Sequence, residues 1–183
     1  MTAAADFPLV WDLDSLLPNP ETDAFRRVLT AFKSDLTSLA ERSDALPGVS
    51  TEADAVESWA TFLSDYATVD AQAEDLISHI GCHAAADAEN RLFQQLEGQL
   101  SALGPLRTRV RTNVEFALRN ASEAELDAFV AASDDFGRIA FFLRDCRANA
   151  AMRLPKEQEL LAADPELGEV LADMDVIVVA STW

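Results

Sequence analysis

Residues 51–86 read TEADAVESWATFLSDYATVDAQAEDLISHIGCHAAA, and this stretch decides the fold. Its large apolar residues recur three, four or seven positions apart, which is the spacing of an amphipathic helix that packs one face on a core. We predict one helix of over 30 residues, beginning at Ser50 or Thr51 with Thr51 and Asp54 as a capping pair. The stripe consists of Val56, Trp59, Leu63, Tyr66, Ala73, Ile77, Ile80 and Ala84.

The helical pattern continues on both sides of this stretch. We expect a first helix that begins near Pro20, which suits a first-turn position, and that stops before the turn signal Leu46-Pro47-Gly48. A third helix follows the acidic turn at 87–90, and Gly104-Pro105 should kink or split it. The stripe of the first helix consists of Phe25, Val28, Leu29, Phe32, Leu36 and Leu39.

Capping signals predict the shorter helices further along. Ser122-x-x-Glu125 is a capping box that opens a fourth helix, and Ser133 caps a fifth that carries the apolar residues from Phe136 to Cys146. Leu154-Pro155 opens a sixth helix, and Pro165 starts a further turn or two.

We therefore predict an all-α fold: an antiparallel bundle of about six helices with a short irregular or strand-like C-terminal tail. The tail ends in the β-branched run Val176 to Val179. The predicted organisation is an extended lead-in over residues 1–19, a helical domain over 20–168 and a divergent tail over 169–183.

Charge narrows the class of partner. The 183 residues carry a net charge of −18, which argues against nucleic acid and anionic membranes because both would repel it. Residues 1–90 carry a net −13, residues 91–153 a net +1 and residues 154–183 a net −6, so the middle of the chain complements its two ends. No apolar run is long enough to span a membrane and no signal peptide is recognisable, so we expect a cytoplasmic protein.

The sharpest local pattern is His79-Ile80-Gly81-Cys82-His83. Two His residues four positions apart lie on one helical face and can chelate a metal together, and Asp75 and Asp87 extend the series at the same spacing. No Glu follows the first His, so this is not the HExxH motif of zinc peptidases. From the angle to the apolar stripe we expect both His on a flank or in solvent, so a solvated helix face is favoured over a metal site.

Other reactive residues favour structural roles. The helical position of Cys82 disfavours a Cys/His nucleophile, and Cys146 falls on an apolar stripe as a small core residue. For the Arg cluster we expect pairing with acidic helices, with a phosphate or peptide-carboxylate site as the alternative. That cluster consists of Arg107, Arg109, Arg111 and Arg119. We assign no catalytic, cofactor-binding or metal-ligating residue in this chain.

Three segments resemble a known family. The opening Trp11-Asp12-Leu13-Asp14-Ser15-Leu16-Leu17-Pro18 looks like the WDLxxLxP start of oligoendopeptidase F-type zinc metallopeptidases, relatives of thimet oligopeptidase. Trp59 to Tyr66, with the helix that ends in the turn at 84–90, is similar to the next family segment. Phe142 to Arg147 followed by Leu154 to Asp164 resembles the end of the family's N-terminal helical region, so the resemblance covers about residues 8–164.

The resemblance implies a role in which this chain supplies no catalytic residue. In the family this region forms one wall of a deep channel that admits only short peptides, and the HExxH helix and the third zinc ligand, a Glu, lie further along. Neither occurs here, so we expect a substrate-channel domain that is inactive alone, whose partners are short peptides and the missing catalytic domain. Full-length members of the family bind zinc, whereas we expect no cofactor in this chain. After Asp164 the chain departs from the pattern, as a truncated or shifted reading frame would. The alternative function is a stand-alone acidic helical module that binds another protein.

Overall fold

A computed structural model describes residues 12–153, and within them the chain forms seven α-helices and no strand. The prediction of an all-α bundle is confirmed. The predicted sixth helix at Leu154-Pro155 and the strand-like run at 176–179 lie outside the described residues. The helices are α1 (Asp23–Ser43), α2 (Ala53–Ala86), α3 (Arg91–Ser101), α4 (Gly104–Leu118), α5 (Glu123–Ala131), α6 (Asp134–Arg138) and α7 (Ala140–Met152).

The first helix begins three residues later than Pro20. Thr22 is the N-cap, and its hydroxyl oxygen accepts a hydrogen bond from the backbone N–H of Phe25 at 3.3 Å. The Thr22 hydroxyl also donates to the carbonyl of Asn19 at 2.7 Å. A Thr hydroxyl can satisfy a helix N–H and Pro cannot, which explains why the helix starts at the later position.

The second helix is a single element of 34 residues, as the sequence predicts. It runs antiparallel to α1, because Arg42 near the end of α1 pairs with Asp65 at 2.8 Å, whereas Phe25 near its start stacks on His79 with ring centroids 5.9 Å apart. The predicted capping pair of Thr51 with Asp54 is wrong, because the N-cap is Glu52, whose side chain makes no capping hydrogen bond.

The predicted third helix is split at the expected place. It divides into α3 and α4, with Pro105 in the first turn of α4, where its missing N–H costs nothing. The new helix α4 contacts both α1 and α7. It therefore joins the first half of the described chain to the last helix.

The predicted fifth helix is wrong in one respect. Ser133 does cap a helix, but that helix ends at Arg138, and α7 begins after Ile139, whose φ of −110° and ψ of 19° are not helical. Gly137 lies two residues before the break and weakens a helix by about 1 kcal/mol relative to Ala. Phe136 stacks on Phe129 at 4.5 Å, which fixes the short helix α6 against α5.

The core is apolar and continuous across the bundle. Trp59 is fully buried, its ring meets Phe129 edge-on at 5.6 Å, and its indole N–H donates to the carbonyl of Pro47 at 3.2 Å. Among the helices of residues 12–153, none is apolar over a length that could cross a bilayer. The other large, fully buried apolar side chains are Phe25, Leu36, Leu39, Leu76, Ile80, Leu118, Leu126, Phe129, Phe136 and Leu143.

Candidate metal centre

The His pair meets a third side chain that comes from before α1. Residues 13–17 form a turn in which the N–H groups of Leu16 and Leu17 both donate to the carbonyl of Leu13, at 3.0 and 3.3 Å. Leu17 packs against the core, so the turn is held against the helices. Asp14 in this turn thereby reaches the C-terminal part of α2, where His79 and His83 lie.

The three side chains form a compact cluster. One ligand atom from each of Asp14, His79 and His83 lies within 4.8 Å of the other two. The Nε2 atom of His83 is 3.9 Å from Oδ1 of Asp14. The two imidazole rings are 4.7 Å apart between centroids and meet edge to face. Sequence spacing alone therefore found two of the three members.

The expectation that both His lie on a flank or in solvent is wrong for His79. Its side chain is only 5% exposed, and it stacks on Phe25 of α1. His83 is half-buried and packs beside Phe93 of α3, with ring centroids 5.3 Å apart. The predicted stripe of α2 includes Ile77, but Ile77 is 43% exposed and its neighbour Leu76 is buried instead. The side of α2 that faces the core near its C-terminal end therefore differs from the predicted side, and His79 lies on it.

The nitrogens in this cluster lack well-formed hydrogen bonds. Both ring nitrogens of His79 and Nε2 of His83 are buried and make no hydrogen bond of ordinary geometry, although the carbonyl of Pro18 lies near His79. Buried polar atoms in native proteins almost always have a partner, and leaving one unpaired costs about 1–3 kcal/mol. Buried polar atoms without a hydrogen bond are typical of a site that binds a water molecule or an ion.

The electrostatics keep the imidazole of His79 neutral. Burial and the neighbouring His83 lower the pKa of His79 below its ordinary value. The backbone carbonyl of Pro18 and the carboxylate of Asp14 act in the opposite direction on the same pKa, but more weakly. A neutral imidazole is the form that binds a metal ion.

Neighbouring acids that the sequence suggested do not join the cluster. Asp75 and Asp87 continue the spacing of the His pair along α2, yet both are exposed and lie outside the group of converging ligand atoms. Asp14 is 65 positions from His79 in the chain, and no local pattern connects them.

Arg107, Arg109 and Arg111 make ion pairs with carboxylates of the same chain, as predicted for the Arg cluster. Arg107 donates to Asp70 at 2.8 Å and to Glu74 at 2.6 Å, so it fastens α4 to α2. Arg109 pairs with Asp44 after α1, and Arg111 pairs with Glu115 within α4 at 3.0 Å. Because these guanidinium groups are already paired with carboxylates, the structure favours this role over the alternative anion site. The fourth member, Arg119, lies over the ring of Phe116 at 5.2 Å.

The two cysteines differ in environment. Cys82 is exposed on α2, whereas Cys146 is fully buried on α7, which confirms the core role predicted for it. Burial raises the pKa of the Cys146 thiol to about 12. Reactivity requires the thiolate, so Cys146 is inert in the folded protein.

Comparison with known proteins adds no relative. No family model, no curated protein and no solved structure matches this chain.

Proposed function

We propose that this chain is the N-terminal, channel-forming helical domain of an oligoendopeptidase F-like zinc metallopeptidase that hydrolyses short peptides. Its part in the enzyme is to bound the channel that limits access to the catalytic centre. The chain supplies no catalytic group of its own.

The observation that carries the proposal is the order of the family-like segments along a helical chain. Residues 12–18 precede α1, Trp59 to Tyr66 lies within the long helix α2, and Phe142 to Arg147 lies within α7. The described segments therefore lie along a helical chain in the order that the resemblance implies.

The residues of this chain do not fit the catalytic zinc of that family. Its two His residues are His79 and His83, and the residue after the first is Ile80 rather than a Glu that could act as general base. We derive no hydrolytic step from them. The proposal is therefore limited to shaping the channel and holding the catalytic part in place.

The outer face of α7 supports a further packing partner. Phe141 is 84% exposed and Met152 is 80% exposed. They are eleven positions apart, which is about three helical turns, so both lie on the same side of the helix. Large apolar side chains grouped on one exposed face are typical of a surface that another domain covers.

The test begins with the reading frame after the codon for Trp183. We expect an HExxH segment downstream. The chain extended by that segment should hydrolyse a short internally quenched peptide, lose this activity on addition of a zinc chelator, and leave a folded protein substrate intact. The 183-residue chain should hydrolyse neither substrate. Absence of HExxH from every downstream frame would contradict the proposal and favour a stand-alone acidic interaction module.

A pair of matched variants tests the role of α7 in the extended chain. Phe141→Ser should leave the melting temperature of the 183-residue chain unchanged, because the side chain is exposed there, but should lower that of the extended chain. Ile77→Ser is the control, since Ile77 is an exposed apolar residue of a different helix, α2. Equal effects of the two substitutions on the extended chain would argue against a domain that packs on α7.

A further inference from the structure

Two imidazoles and a carboxylate converge where the turn before α1 meets the last turns of α2. The donors are Asp14, His79 and His83, and their ligand atoms all lie within 4.8 Å of one another. The His pair is held on one helical face by its spacing of four positions, and the packing of Phe25 and Phe93 fixes the two rings. Two of the three donors are therefore already oriented by the fold.

The orientation leaves the nitrogens without a hydrogen bond of ordinary geometry. His79 is 5% exposed, and neither of its ring nitrogens has a hydrogen-bond partner, nor does Nε2 of His83. A core His normally donates one ring N–H to a carbonyl or carboxylate. Three ring nitrogens without a hydrogen bond of ordinary geometry, beside a carboxylate, form a donor set that a cation would satisfy.

We propose that Asp14, His79 and His83 bind a divalent transition-metal ion of the zinc class. Imidazole nitrogen and carboxylate oxygen are ligands that suit zinc, whereas calcium and magnesium prefer sites made only of oxygen. Three protein ligands leave a fourth position for water. This site is separate from the HExxH centre of the family and does not depend on the function proposed above.

Metal binding requires the ligand atoms to move closer together, by up to about 1.5 Å for a pair that is 4.8 Å apart. Zinc binds imidazole nitrogen at about 2.0–2.1 Å, so ligand atoms in a tetrahedral site are about 3.3 Å apart. The separation of 3.9 Å between His83 Nε2 and Asp14 Oδ1 is close to this value. The Asp14 side chain is 54% exposed and belongs to a turn rather than a helix, so it is the donor that can move.

The consequence of binding is a clip between two distant parts of the chain. Asp14 belongs to the segment before α1, and the two His belong to the C-terminal part of α2. A metal ion shared by them ties this segment to the long helix across 65 positions of sequence. The role that we assign to the ion is to link these two segments.

The test is calorimetric titration of the metal-stripped 183-residue chain with Zn²⁺, with Co²⁺ as a spectroscopic probe of the ligands. We expect one ion per chain, a dissociation constant below micromolar, and a rise in melting temperature on addition of Zn²⁺. Asp14→Asn and His83→Gln should each weaken binding by about tenfold or more, because even outer partners of metal ligands contribute that much. Asp14→Asn changes an exposed turn and leaves the core intact, so it stays informative even where a His79 substitution impairs folding.

Two control variants sharpen the result. Asp75→Asn removes an exposed carboxylate on the same helix, and Cys82→Ser removes the exposed thiol next to His83. Both should bind Zn²⁺ like the wild type. Binding no tighter than micromolar, binding that survives both Asp14→Asn and His83→Gln, or binding lost in Cys82→Ser would each overturn the proposal.

Discussion

Glu115 is the residue whose substitution tests the account of this fold most directly. Its side chain is only 1% exposed, yet it carries a carboxylate in the last turn of α4. Oε1 accepts a hydrogen bond from Nε of Arg111 at 3.0 Å, and Oε2 accepts one from Nε of Arg153 at the end of α7. The buried charge is therefore balanced by two guanidinium groups, one from its own helix and one from α7.

Glu115→Gln keeps the shape of the side chain and removes the charge. The amide nitrogen of Gln would face a guanidinium donor in place of an acceptor oxygen, and a buried ion pair that loses one partner costs about 3–5 kcal/mol. We expect a loss of about 3 kcal/mol, because both Arg side chains remain partly exposed and regain some contact with water. With a urea dependence of about 2 kcal/mol per molar, the midpoint of unfolding should fall by about 1.5 M.

The assay is urea denaturation followed by far-UV circular dichroism. Glu97→Gln is the matched control, since Glu97 is an exposed residue of α3 and the change in charge is the same. Its free energy of unfolding should change by less than about 0.5 kcal/mol. A double-mutant cycle with Arg111→Met should give a coupling energy above about 0.5 kcal/mol. Equal midpoints for Glu115→Gln and Glu97→Gln would refute the reasoning.

Three further predictions follow from the site and the caps. Alkylation of the native protein should modify Cys82 and spare Cys146, whose thiol is buried with a pKa of about 12, until denaturant is added; mass spectrometry of the peptides detects both. Ser122→Ala should destabilise the protein by about 1 kcal/mol in urea denaturation, because it removes the capping box of α5. With a chelator present, the free energy of unfolding should fall as the pH drops below 6.5. Burial and the neighbouring His83 lower the pKa of His79 in the folded state, so His79 takes up a proton more readily in the unfolded chain. The slope should be shallower in His79→Gln, and equal slopes would argue against this source.

The sequence predicts elements well where a local signal dominates. The 34-residue helix α2, the split at Gly104-Pro105 and the capping box at Ser122 all depend on residues within a few positions of one another. The break at Ile139 has only a weak local signal, Gly137 two residues before it. It is set by the stacking of Phe136 on Phe129, a contact between two helices.

The candidate site shows the same division. The spacing of His79 and His83 follows from helical geometry, but the burial of His79 depends on Phe25 from another helix. A single apolar stripe does not describe the whole of α2. Over 34 residues the buried face changes position, as the burial of Leu76 in place of Ile77 shows. The approach of Asp14 arises from tertiary packing alone.

The exposed turn at 87–90 has a consequence for assembly. It separates α1 and α2 from the later helices. Arg107 pairs with carboxylates of α2, and Arg109 pairs with Asp44, which directly follows α1. A chain cleaved in this turn should yield two fragments of unequal charge that reassociate as a noncovalent pair. Residues 1–90 carry a net −13 and residues 91–183 a net −5, so the bimolecular association rate should rise as salt is added, because salt screens the repulsion between two negatively charged fragments.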